Sequence, residues 1–157
     1  MRIDLDRHVP LGMDGENEAR WYLQGLGAAC IWSLMWFISS YSEAYRNLFH
    51  YVGLNRSILR EGARIDSFAV IIAGSELLFL LLAAVMPLWA VYHYRYHHSP
   101  THSVYLMKRL PDRMEYHRRC LTMPVCGLVA ALALQGVLGC VYYLIYIFVT
   151  PRQCLPL

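Results

Sequence analysis

Charged side chains are scarce in this 157-residue chain, where they occupy 16% of positions while hydrophobic residues occupy 57%. An average soluble domain is roughly 25% charged. Lysine is nearly missing as well, since thirteen of the fourteen basic residues are arginine and Lys108 is the one exception. A composition this poor in charge indicates a chain that lies mostly in lipid.

Motifs for metals, nucleotides and catalysis are also missing. The five cysteines form no Cys-x-x-Cys pair, and the chain contains neither His-Glu-x-x-His nor Gly-x-x-x-x-Gly-Lys-Ser/Thr. We therefore predict no metal, no cofactor and no enzymatic activity, and the chain itself is not an ATPase. His93 and His97 have a spacing that can bind a transition metal, but the alternating tyrosine and basic residues around them also suit an anchor at the membrane interface.

Long stretches without lysine or arginine occur at residues 21–41, 68–92 and 124–150. About 20 helical residues, each rising about 1.5 Å, cross the roughly 30 Å hydrocarbon core of a bilayer. Each of the remaining pieces is shorter than the roughly 40 residues below which chains rarely fold unaided. This excludes a soluble enzyme, a tethered globular domain and a nucleic-acid-binding module. The sequence predicts an all-α integral membrane protein of one domain, with three transmembrane helices and short amphipathic helices in the loops.

Basic residues are unevenly distributed among the segments outside the spans. Six lie in residues 93–123 and four in residues 42–67, and short loops rich in arginine and lysine stay in the cytoplasm. With three spans, the N-terminus is then cytoplasmic too. We predict a multi-pass protein of the cell membrane with a cytoplasmic tail (1–20), span one (21–41), an outer loop (42–67), span two (68–92), a cytoplasmic loop (93–123), span three (124–150) and an outer tail (151–157).

The tail and the outer loop carry weaker patterns. Residues 1–20 show no helical period and contain Pro10, Gly12 and Gly15, which indicates a loosely attached tail. In the outer loop, apolar residues at helical spacing between Tyr45 and Val52 predict a short amphipathic helix. That helix either caps the bundle or lies on the membrane surface.

Glu76 is the only acidic residue within a predicted span. An ionisable group there costs on the order of 2.5 to 3.5 kcal/mol on insertion scales, so it needs partners. Hydroxyl groups at the same predicted depth belong to Ser33 in span one and to Tyr142 and Tyr143 in span three. Glu76 is therefore either a proton- or cation-linked group on a transport path or a hydrogen-bonded residue that fixes helix pairing.

The cytoplasmic loop has the pattern of two short helices. Met107 and Leu110 lie three residues apart in the first helix, which Pro111 ends, and proline also suits the start of the next helix. Arg118 and Arg119 lie at the C-terminal end of the second helix, where the helix dipole favours cations. Exposed Met and Leu side chains above a basic end favour a docking element, and the alternative is a solvated linker with a membrane-facing stripe.

With the spans on either side, the segment from Ser103 to Pro111 (SVYLMKRLP) resembles the N-terminal half of the permease subunits of ATP-binding-cassette exporters. In that family, the loop between helices two and three carries a coupling helix that contacts the cytoplasmic ATPase. The resemblance implies a coupling helix at residues 103–110, a hinge at Leu110 and Pro111, and a basic helix after it. The partner-docking residues are then Ser103, Leu106, Met107, Leu110, Pro111, Arg113, Arg118 and Arg119. The chain is also similar to small hydrophobic membrane proteins that accompany such transporters in Gram-positive bacteria.

These features together predict a membrane-spanning subunit of an ATP-binding-cassette-type transport complex, coupled to a separate cytoplasmic ATPase through residues 93–123. A chain of three spans needs another membrane subunit or further copies of itself to surround a path. The expected partners are therefore an ATPase subunit, other membrane helices and the lipid bilayer, without nucleic acid. The alternative is a structural or regulatory membrane protein that does not transport and that docks a cytoplasmic partner through the same loop.

Overall fold

The computed structural model of the protein describes residues 9, 13–51, 57–60, 62–96 and 113–155. Its long helices are α1 (Gly15–Asn47), α3 (Leu77–Tyr96) and α4 (Arg113–Val149). Its short elements are the strands β1 (Phe49–Tyr51) and β2 (Ser57–Leu59), the helix α2 (Phe68–Ile72) and a 3₁₀ turn (Arg152–Cys154). Three helices are long and apolar enough to span a membrane, so the prediction of an all-α membrane protein with three spans is confirmed.

Helix α1 begins six residues before the first apolar run, within the segment predicted to be an irregular tail. The Asp14 carboxylate caps it, since Oδ1 accepts hydrogen bonds from the backbone N–H groups of Glu16 (3.0 Å) and Asn17 (3.1 Å). Glu16 and Glu18 follow in the first turn, where the helix dipole favours negative charge. The expectation that residues 1–20 lack a helical period is therefore wrong for residues 15–20.

The outer loop forms a hairpin where the spacing from Tyr45 to Val52 predicted a helix. Strands β1 and β2 pair antiparallel, with Phe49 opposite Leu59 and Tyr51 opposite Ser57. Helix α1 ends at Asn47, and the backbone N–H of Arg60 donates to the carbonyl of Leu48 at 3.0 Å. Aromatic and β-branched residues suit both a strand and an amphipathic helix in so short a segment, which explains the error.

The second apolar run, predicted as one helix over residues 68–92, is interrupted after α2. Residues 73–76 form a turn in which the N–H and the hydroxyl of Ser75 both donate to the carbonyl of Ile72, at 2.8 and 2.7 Å. The indole N–H of Trp32 donates to the carbonyl of Gly74 at 3.1 Å. Because lipid offers no hydrogen bonds, an interrupted helix persists in a membrane only where such groups satisfy its backbone.

Helix α4 is continuous from Arg113 into the third apolar run, although the sequence predicted a separate helix before Pro124. Arg118 and Arg119 precede the apolar run, but they do not interrupt the helix, since arginine is a good helix former. Pro124 lies inside α4 and lacks the N–H that would bond the carbonyl of residue 120. That carbonyl belongs to Cys120, which is buried.

The described residues divide between two compact units. One comprises Met1–Ala28 with Phe79–Ala133, and its buried residues include Phe79, Met86 and His93. The other comprises Ala29–Leu78 with Leu134–Leu157. The core of this second unit consists of Phe37, Ala44, Leu48, Ile65, Ile71, Tyr142, Tyr146 and Cys154.

Gly74 is the residue at the helix interruption that a side chain would disturb most. A Cβ atom there would overlap the Trp36 indole, which stacks on Trp32 with ring centroids 5.9 Å apart. We expect Gly74→Ala to destabilise the fold by about 1 to 3 kcal/mol, the usual cost of overpacking. Thermal unfolding in detergent measures this as a lower Tm. Gly136→Ala is the matched control because no heavy atom lies within 4 Å of its Cβ position, and an equal Tm for both variants would contradict the packing argument.

Candidate functional site

A buried polar cluster lies where the first turns of α1 meet the end of α3. Its members come as two pairs spaced four residues apart, Glu18 with Tyr22 on α1 and Trp89 with His93 on α3. This spacing places both members of a pair on one face of a helix. Glu18 is 7% exposed and His93 is fully buried. We call these four residues the Glu18 cluster.

The polar groups of the other three residues in the cluster all contact one carboxylate oxygen of Glu18. Oε1 accepts hydrogen bonds from the Tyr22 hydroxyl at 2.8 Å and from the Trp89 indole N–H at 3.0 Å. His93 Nε2 lies 3.1 Å from the same oxygen, at ion-pair distance but without hydrogen-bond alignment. Two aligned donors and a ring nitrogen around one oxygen are the surroundings of an ionised carboxylate. The other oxygen, Oε2, makes no polar contact with a described residue.

The remaining nitrogen of His93 determines the charge of the ring. Nδ1 lies 3.0 Å from the carbonyl oxygen of Cys120, and because a carbonyl only accepts, Nδ1 carries a proton. Cys120 is the carbonyl that Pro124 leaves without its helical donor, so His93 replaces the missing N–H. An unprotonated Nε2 would direct its lone pair at the Glu18 carboxylate. The geometry therefore favours an imidazolium and a carboxylate, a buried pair with no net charge.

An open apolar cleft of about 350 Å³ adjoins this cluster. Cavities of roughly 300 to 1,000 Å³ lined by apolar and aromatic side chains with few polar groups are typical of small-molecule sites. The lining residues are Glu18, Trp21, Tyr22, Leu82, Val85, Met86 and Trp89.

Glu76 lies in the turn between α2 and α3, where it is partly exposed. It lines a small cleft together with Ser33, Ile72, Ser75, Gln135, Leu138, Gly139 and Tyr142. The Ser33 and Tyr142 hydroxyls are hydrogen-bonded to each other at 2.9 Å. Within the described chain, the Glu76 carboxylate makes no hydrogen bond or ion pair.

The structure thus places three of the four predicted intramembrane polar residues, Glu76, Ser33 and Tyr142, around one cleft. It places Tyr143 elsewhere. Tyr143 is 49% exposed and packs edge-on against Phe68, with ring centroids 5.2 Å apart. On a helix, neighbouring residues point about 100° apart, so Tyr142 and Tyr143 do not share a face.

Most of the predicted docking residues lie outside the described residues, namely Ser103, Leu106, Met107, Leu110 and Pro111. Arg113, Arg118 and Arg119 belong to the N-terminal turns of α4. Arg118 is exposed and Arg119 is partly buried.

The two ends of residues 93–123, the segment predicted to be a cytoplasmic loop, are held together by side chains. His93 bonds the Cys120 carbonyl, and the Tyr94 hydroxyl bonds His117 Nδ1 at 2.9 Å. We call these two pairs the loop base. These two pairs join the end of α3 to the start of α4.

Sequence reasoning missed the Glu18 cluster and treated His93 as a metal ligand or an interfacial anchor. Both of its four-residue spacings are visible in the sequence, as is the acidic first turn after Asp14. Because Glu18 precedes the apolar run, nothing in the sequence indicates that it is buried. The pairing of Glu18 with His93, 75 residues later, carries no local signal.

No protein-family model matches the chain, and comparisons with curated proteins and with solved structures find no match either.

The ion pair generates a stability prediction. His93→Ala removes the cation beside the Glu18 carboxylate and the hydrogen bond from His93 Nδ1 to the Cys120 carbonyl, so we expect a loss of about 3 to 5 kcal/mol. His117→Ala is the control, since His117 is exposed and a hydrogen bond such as the one to the Tyr94 hydroxyl contributes about 1 kcal/mol. Chemical unfolding of both variants in one detergent measures the difference.

A second substitution separates the charge effect from lost packing. Adding Glu18→Gln to His93→Ala removes the uncompensated charge, and we expect it to restore part of the stability. Equal losses for the His93 and His117 variants would show that the pair is not formed.

Proposed function

We propose that the chain is a membrane-spanning subunit of a transport complex of the ATP-binding-cassette type. The observation that carries this proposal is the Glu76 carboxylate at the interruption of the second span. Transport proteins commonly form ion and substrate sites where a membrane helix is discontinuous. Glu76 directly precedes the candidate span Leu77–Tyr96 and makes no polar contact with the described residues, which makes it a candidate binding group for a transported ion or proton.

The alternative role of Glu76, fixing helix pairing through hydrogen bonds, has less support. Ser33 and Tyr142 satisfy each other, and Ser75 bonds the Ile72 carbonyl. None of these hydroxyls donates to the Glu76 carboxylate.

The exposed surface of the spans supports a subunit rather than a channel made by one copy. Within the most apolar window of each candidate span, 17%, 17% and 11% of the residues are buried. Lipid covers such a surface, and so do other membrane helices, which pack by shape and hydrogen bonding in lipid. We infer that further membrane subunits or further copies of this chain complete the path.

Coupling to a cytoplasmic ATPase through residues 93–123 rests on the sequence pattern of the loop, and the loop base supports it. A loop whose ends are joined by a buried hydrogen bond transmits the position of a docked partner to the membrane helices. The count of basic residues favours a cytoplasmic face for this loop and for the N-terminus.

The loop base equally favours the second candidate, a regulatory membrane protein that holds a cytoplasmic partner without transporting. The two candidates differ in what Glu76 does. Transport requires its carboxylate, whereas a docking protein tolerates its neutralisation.

Docking is tested by changing Leu106, Met107 and Leu110 together to Asp in the full chain. We expect a co-purifying protein that hydrolyses ATP with the wild type and its loss from the variant, because three carboxylates oppose burial of an apolar stripe. The control introduces the same charge in the same loop at polar positions, through His98→Asp, Thr101→Asp and His102→Asp. Retention of the ATPase by the first variant would contradict the coupling role.

The role of Glu76 is tested on the reconstituted complex. We expect Glu76→Gln to lower ATP hydrolysis in proteoliposomes by about tenfold or more, while the amount of bound ATPase stays the same. Glu43→Gln, at an exposed carboxylate on α1, is the matched control. Unchanged hydrolysis with a full complement of ATPase would favour the regulatory candidate.

A further inference from the structure

The cleft beside the Glu18 cluster combines features that the transport proposal does not use. It is largely apolar, and one nine-tenths-buried carboxylate lines it. The aromatic side chains of Trp21, Tyr22 and Trp89 contribute to its wall. All of these residues belong to one compact unit.

The polar chemistry of the cleft comes from Glu18. Oε1 is occupied by Tyr22, Trp89 and His93, whereas Oε2 makes no polar contact with the described residues. Among the described residues, the one buried polar side-chain atom without a hydrogen-bond partner is His93 Nε2, so Oε2 keeps an accessible surface. No described residue donates to Oε2. A ligand that donates one hydrogen bond to Oε2 restores the missing interaction.

The charge balance of the cluster determines whether a charged or a neutral ligand group donates to Oε2. His93 already neutralises the Glu18 carboxylate, so a cationic ligand would bring an unbalanced charge into an apolar site. A neutral O–H group supplies the hydrogen bond without that cost. The indole and phenol rings of the wall favour an aromatic head group through edge and face contacts.

We propose that this cleft is a binding site for a lipophilic phenol, a molecule with a neutral aromatic hydroxyl and an apolar body. The hydroxyl donates to Glu18 Oε2, the ring lies among Trp21, Tyr22 and Trp89, and the apolar body contacts Leu82, Val85 and Met86. The proposal is independent of the transport function and of Glu76, which lies outside this cleft.

The test uses the purified full chain in detergent and the quenching of tryptophan fluorescence. The probe is a phenol that carries a bromine-terminated octyl chain in the para position, and the comparison compound is its methyl ether. Trp21 and Trp89 line the cleft and report binding. We expect saturable quenching by the phenol and about tenfold or more weaker binding of the ether, since hydrogen bonds to charged groups are the stronger ones.

Val85→Phe fills the cleft without changing the Glu18 cluster, and we expect it to weaken binding of the phenol about tenfold. Val91→Phe is the matched control, because Val91 is exposed on the same helix and does not line the cleft. This pair of variants keeps the test valid even if substitutions of Glu18 fail to fold.

Three outcomes would overturn the proposal. The ether binds as tightly as the phenol, or Val85→Phe leaves binding unchanged, or quenching rises without saturation as it does with a brominated lipid. The last outcome would identify the cleft as a groove filled by acyl chains only.

Discussion

The missing N–H of Pro124 is the constraint on which the first unit depends. A helix in lipid has no water to satisfy a carbonyl that proline leaves without its donor, and that carbonyl, at Cys120, is buried. His93 supplies the donor through Nδ1. This bond orients the imidazole ring so that Nε2 faces Glu18, 3.1 Å away. The imidazole donates to the carbonyl, and the carboxylate balances the charge of the imidazole. The fold therefore needs the carbonyl, the imidazole and the carboxylate together.

The second unit satisfies its buried hydroxyl groups through neutral hydrogen bonds. These hydroxyls bond to each other or to the backbone, as between Ser33 and Tyr142, Tyr41 and Thr150, and Tyr146 and the carbonyl of Asp66. The exposed Arg46 also donates to the Ser42 carbonyl within α1. Neutral pairs are individually replaceable because losing one hydroxyl leaves a weak dipole unsatisfied rather than a charge. Glu43 and Glu76 are carboxylates of this unit that make no polar contact with the described residues, but Glu43 is exposed whereas Glu76 lines a cleft. Glu18 and Glu76 therefore differ in kind, since Glu18 is compensated within the fold and Glu76 has no polar partner among the described residues.

The sequence predicts the three long helices because the signal for each is local. An apolar run of sufficient length is a property of the run itself, and residues 21–41, 68–92 and 124–150 all overlap the observed long helices. Helix ends are less predictable, since Asp14 caps α1 before any apolar residue of the span and Arg118 and Arg119 continue α4 through a charged stretch. The interruption at residues 73–76 depends on Trp32, which is distant in sequence. The same holds for the Glu18 cluster, because its ion pair joins two helices and a single sequence does not show which helices meet.

The loop base connects the two proposals physically. Helices α3 and α4 flank residues 97–112 in the sequence. His93 links these two helices by bonding the Cys120 carbonyl, and it also pairs with Glu18. A partner that pulls on the loop therefore acts on the same imidazole that holds the carboxylate of the cleft. A phenol on Oε2 acts on that carboxylate from the other side. If both events change the position or the charge of His93, each must alter the affinity of the other by the same factor, because coupling between two binding sites is reciprocal. If both proposals hold, His93, which bonds the Cys120 carbonyl and pairs with Glu18, is a residue through which the docked partner and the bound phenol influence each other.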